Sequence, residues 1–196
     1  MEPSATQDGL YREAAGLFAK AAEHARFSGE LAPIYSNWGS ALVRASRLTS
    51  DRNDRRSLLD NAVEKFERSA RAVPNAAATY AMWGGALVER GKLTRVRGDL
   101  REAVDRLNTG LALDPNNPGT YYSLALAYTL MDNNVLAVEM LKKCFAADSN
   151  RTYYNSAPQD PDLTGLRGDP RFEELFAAAT APSLPQNNPR LGDAPR

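Results

Sequence analysis

One cysteine and one histidine stand in 196 residues, and each scarcity closes a class of chemistry. Cys144 alone cannot form an intramolecular disulfide or a multi-cysteine zinc site. With His24 as the single imidazole, beside Glu23 on a charged helix face, no Ser-His-Asp or Cys-His constellation and no metal cluster is patterned, and no glycine-rich phosphate loop occurs. No catalytic residue, metal or cofactor is therefore expected. No apolar run approaches the roughly 20 residues that a membrane-spanning helix needs. The first ten residues lack the basic start and apolar stretch of a secretory signal, so a soluble, cytoplasmic protein without membrane insertion is expected. Charge of neither sign is in excess, with 24 basic and 24 acidic side chains, which gives the whole chain no electrostatic case for nucleic acid. The distribution is uneven: residues 44–106 hold 14 basic and 9 acidic side chains, residues 107–196 hold 7 and 10.

What the chain does have is repetition. Tyr35-Ser36-Asn37-Trp38-Gly39-Ser40-Ala41-Leu42 returns as Tyr80-Ala81-Met82-Trp83-Gly84-Gly85-Ala86-Leu87 and, more loosely, as Tyr121-Tyr122-Ser123-Leu124-Ala125-Leu126-Ala127-Tyr128. Tyr35, Trp38, Gly39 and Leu42 fall at i, i+3, i+4 and i+7, the spacing of one helix face. Internal repetition of helical segments makes a stacked array the governing expectation.

Taken in order, residues 1–9 are polar and expected to be flexible, and a helix from about Leu10 to Phe27 carries Ala14, Phe18 and Ala21. It matches the second helix of the later repeats and reads as half of an incomplete unit (10–30). Three units follow, 32–76, 77–117 and 118–151. In the first, helices from about Pro33 to Leu48 and Arg55 to Val73 flank a polar, Arg-rich segment, Thr49 to Ser57. In the second, a helix from about Ala77 to Arg90 is expected to end on a Gly91 cap, with Lys92 to Gly98 as a connector and Asp99-x-x-Glu102 as a capping box. The third opens on Asn117-Pro118, an N-cap and first helical residue, and reverses at Asp132-Asn133-Asn134. A capping segment (152–180) ends in an amphipathic helix from Arg171 to Ala179, and the proline-rich residues 181–196 are expected to be disordered.

The columns resemble tetratricopeptide repeats. Each unit has an aromatic, then Trp or Leu with Gly or Ala, then an Ala on the following helix, a large apolar residue four on and a small residue three further (Gly39, Gly84, Ala125; Ala62, Ala103, Ala137; Ser69, Gly110, Cys144). Small residues belong where helices approach too closely for anything larger, which also makes Cys144 an inert buried thiol and Trp38 and Trp83 core residues. The resemblance implies an all-α, right-handed superhelix of helix pairs with a terminal capping helix. The family pattern is stretched here: Ala62 to Ala103 is 41 residues and Ala103 to Ala137 is 34, so the earlier units carry extra, Arg-rich residues between their helices.

The family's first helices line an inner groove, and the resemblance implies a non-catalytic interaction scaffold or adaptor that binds a peptide or helix of a partner protein there. The residues placed on that face are Ser36, Asn37, Ser40 and Arg44, then Ala81, Met82, Gly85 and Glu89, then Tyr122, Leu126 and Thr129. Met82, Tyr122 and Leu126 would favour an apolar or amphipathic ligand. Of the columns with which some members grip a C-terminal carboxylate, only Asn37 is matched, so that mode is not expected. The groove is open, or filled by the chain's own C-terminal segment. The alternatives are a chaperone or assembly factor, and an edge made of Arg52, Arg55, Arg56, Arg95 and Arg97 that meets RNA or an acidic protein surface. Oligomeric state is not written in these patterns.

Overall fold

The computed structural model describes residues 3–180, and all of their regular structure is helical. The helices are α1 (Pro3–His24), α2 (Ser28–Leu48), α3 (Arg52–Ala72), α4 (Ala77–Thr94), α5 (Arg97–Leu113), α6 (Pro118–Leu130), α7 (Asn134–Ala147), α8 (Thr152–Ser156) and α9 (Pro170–Thr180), with 3-10 turns at Ala157–Gln159 and Pro161–Leu166. The expected disordered tail, 181–196, lies outside the described residues. The chain forms a superhelical array in which α2/α3, α4/α5 and α6/α7 are antiparallel pairs and α4 touches both α2 and α6.

Glycine sets the distance between paired helices. A Cβ on Gly39 would lie 2.8 Å from the Phe66 ring, and one on Gly84 would overlap Leu107. Around these approaches Leu42, Phe66, Leu87, Leu107, Leu124 and Leu141 form one continuous core. Trp83 is buried in it, with the Arg106 guanidinium 4.0 Å from its ring centroid, and Trp38 is half-buried between Phe18, at 6.4 Å, and Lys65, at 4.4 Å. Both tryptophans are thus packing residues, and α1 rests on α2 through Phe18.

Several boundaries differ from expectation, for local reasons. Helix α1 starts at Pro3, inside the segment expected to be flexible; proline in a first turn forfeits no intrahelical bond. Helix α2 starts at Ser28, where the Arg26 amide donates to the Glu30 carboxylate at 2.9 Å, so Pro33 lies inside the helix at an exposed position. The Arg-rich segments are not loops. Only residues 49–51 and 95–96 are non-helical, and the extra residues lengthen α2, α3 and α4. Asp51 caps α3 by accepting from the Asn53 and Asp54 amides at 2.8 Å. Gly91 is no cap: it is buried within α4 against Leu100, and the helix ends on Arg95, whose φ of 64° is left-handed. Asp99 forms no capping box, because its carboxylate accepts from Arg90 at 2.9 Å and from the Thr94 hydroxyl at 3.1 Å. Asn117 and Asn133 do cap α6 and α7, accepting from Thr120 and Leu136 amides at 3.0 and 3.2 Å.

Candidate groove and edge

The first helices of the first two units leave a recess between them. Its volume is about 290 Å³, and its lining includes Ser40, Val43, Arg44, Phe66, Met82 and Gly85. Ser40 Oγ donates to the Ser36 carbonyl at 3.0 Å and approaches Met82 Sδ at 3.1 Å, which ties α2 to α4 across the floor. A Cβ on Gly85 would meet nothing within 4 Å, so this glycine faces open space although its neighbour Gly84 does not. Asn37 and Arg44 are exposed, and Arg44 has no ion partner among the described residues. Glu89 is held by Arg47 at 2.7 Å, which closes one end of the recess with a paired rather than a free charge. Ala81 is half-buried beside it.

Ser36 is not a groove residue. It is only 8% exposed and shares hydrogen bonds with Thr79, at 3.2 Å, and Ser69, at 3.3 Å, while Ser69 also donates to the Ala32 carbonyl at 2.8 Å. Its position on α2 faces α4, and a small hydroxyl there satisfies its partners inside the stack.

The third unit's share of the groove is covered by the chain itself. Tyr122 is 9% exposed, its hydroxyl donates to the Asp160 carboxylate, and its ring lies 4.8 Å from that of Tyr153. Burial and then that carboxylate hold the Tyr122 phenol protonated, far above the ordinary range. Thr129 is buried and donates to the Ala125 carbonyl at 2.8 Å, and Leu126 is half-buried. Residues 153–166 are fastened by Asp162 to Lys92, by the Tyr153 amide to Asp148 at 2.7 Å, and by Asn134 to the Gly165 carbonyl at 3.3 Å. Leu163, Leu166 and Phe172 enter the core. This segment packs on α6 and α7 as a further unit's first helix would, so Tyr122 and Thr129 cannot read a partner. Asp160, Asp162 and Lys92 were missed as latch residues. The only sequence signal was the Pro/Asp spacing of a closing segment.

The Arg-rich edge spends much of its charge inside the array. Arg52 donates to the Leu93 carbonyl at 2.7 Å, Arg97 pairs with Asp132 at 3.1 Å, and Arg56 lies 3.7 Å from Asp60. Arg90 joins Asp60 of the first unit to Asp99 of its own, at 3.1 and 2.9 Å. Arg55 is half-buried and Arg95 exposed.

The TPR repeat family model matches residues 91–132, from the end of α4 through α6. That stretch carries a tetratricopeptide repeat. The fold of the chain is similar to that of TTC0263, a thermophilic TPR protein of Thermus thermophilus, at 22% identity over 86% of this chain and 74% of that one, with a TM-score of 0.55. The MamA protein matches at 16% identity, over 88% of this chain and 98% of that one, with a TM-score of 0.43. No curated protein matches the chain. Tetratricopeptide repeats generally mediate contacts between proteins and are generally non-catalytic. Here Cys144 is fully buried, burial pushes its thiol up to about 12, and His24 is exposed, so the two scarce residues stand apart in environment as well as in sequence. Among the described residues no cluster of His, Cys, Asp or Glu could hold a metal, and no helix is long and apolar enough to cross a membrane.

Proposed function

We infer that this tetratricopeptide-repeat protein is a scaffold or adaptor that seats a partner's peptide or helix between α2 and α4. The recess beside Gly85 carries the reading: it is open, its floor is apolar at Val43, Phe66 and Met82, and Arg44 stands over it without an ion partner among the described residues. A segment with one apolar side chain for the floor and a carboxylate for Arg44 has the matching chemistry. Only a short groove is on offer, since the third unit is closed by residues 153–166. Affinity capture from native lysate tests the reading with wild type, Met82→Glu and an Arg95→Ala/Arg97→Ala edge variant. The partner is expected to be retained by wild type and the edge variant and lost with Met82→Glu, fold being checked by circular dichroism. Loss with the edge variant alone, together with a steep salt dependence, would move the site to the Arg-rich edge.

A further inference from the structure

Helix α1 carries a second apolar stripe besides the one that packs on α2. Tyr11 and Phe18 face α2, Phe18 lying 6.4 Å from Trp38. Leu10 and Leu17, one heptad apart, are 63% and 61% exposed, and Ala14 and Ala21 lie between and after them on the same side. The equivalent positions of α3 are covered: Leu58 and Lys65 align with Leu10 and Leu17, and Lys65 is held over Trp38 of its unit's first helix. No helix covers the α1 stripe among the described residues.

Leu10, Ala14, Leu17 and Ala21 are spaced by four, three and four residues, a short coiled-coil seam that alternates large and small side chains. We propose that this seam pairs with the same seam of a second copy of the chain, the two α1 helices running antiparallel about a two-fold axis. Antiparallel pairing seats Leu17 on the partner's Ala14 and Leu10 on the partner's Ala21, a large residue against a small one in every layer. The same register brings Glu13 opposite the partner's Lys20, and by symmetry Lys20 opposite the partner's Glu13. Both residues are exposed and have no ion partner within the chain among the described residues. A parallel pair would instead set Glu13 against the partner's Phe18, which α2 already covers, and Lys20 against the partner's Ala25. Charge and size therefore select one occupant and one orientation.

Sedimentation equilibrium of the full chain across the micromolar range tests this. Wild type should pass from monomer to dimer, and Leu17→Glu, at an exposed position that leaves the core untouched, should remain monomeric. Glu13→Lys sets like charges opposite each other twice and should weaken association about tenfold or more. The double exchange Glu13→Lys/Lys20→Glu restores both pairs and should recover it. A wild type that stays monomeric throughout, a dimer indifferent to Leu17→Glu, or a double exchange no tighter than the single one would each overturn the proposal.

Discussion

Tyr122 donates its phenolic hydrogen to the carboxylate of Asp160, so a side chain on the expected ligand-reading face fastens the end of its own array. A neutral donor to a charged acceptor is worth about 1.5–3 kcal/mol. Tyr122→Phe should therefore lower the melting temperature by several degrees, at about 2–4 °C for each kcal/mol in a chain of this size. Hydrogen exchange should rise in residues 153–166 before α2 and α4 respond. Uniform loss of protection along the array would contradict a local latch.

Alkaline pH gives a second expectation. Tyr122 and Cys144 both bind their protons more tightly in the folded chain, Cys144 up to about 12 from an ordinary 9.0, with burial as the leading cause in each. Once the unfolded thiol and then the unfolded phenol begin to ionise, the unfolded state holds fewer protons, and folding stability must fall as pH rises. Denaturant midpoints should hold steady to about pH 9 and decline above it, less steeply in Cys144→Ala. The native thiol should also resist a disulfide reagent at pH 8 until the chain is unfolded.

The adjacent glycines of the second unit make a third. A Cβ on Gly84 would overlap Leu107 and come within 3.1 Å of the Ala103 carbonyl, whereas Gly85 has nothing within 4 Å. Gly84→Ala should destabilise the chain by about 1–3 kcal/mol through overpacking. Gly85→Ala should stabilise it by about 0.5–1 kcal/mol, the helix-propensity difference. Opposite shifts in midpoint check the pair.

The stitching arginines should differ as sharply. Arg90 and Asp99 have side chains only 17% and 15% exposed, so Arg90→Met strands a half-buried carboxylate and should cost about 1–3 kcal/mol. Arg47 is 57% exposed in its pair with Glu89, and Arg47→Ala should cost about 0–1 kcal/mol. Thermal melts of both variants, at low and high salt, separate the two.

What was legible in the sequence followed periodic side-chain size. Gly39 and Gly84, opposite Phe66 and Leu107, announce helix pairs because the close approach leaves no room for a Cβ. Polar residues were harder to place. Ser36 and Asn37 are equally polar neighbours on α2, yet one is buried in a hydroxyl network and the other exposed, a distinction set by where α4 lies. Gly91 and Asp99 carry good local signals for a cap and a capping box, and tertiary partners, Leu100 and Arg90, overrode both. The third-unit groove residues were misjudged for a similar reason: whether Tyr122 meets a partner depends on residues 153–166, far away in sequence.

The proposed binding surface is the recess between α2 and α4. Quantitative capture of a native partner by wild type and by Gly85→Leu tests it most directly, because the substitution fills open space without touching the core. The prediction is that Gly85→Leu keeps or raises the melting temperature and loses the partner. Equal retention by both proteins would contradict it.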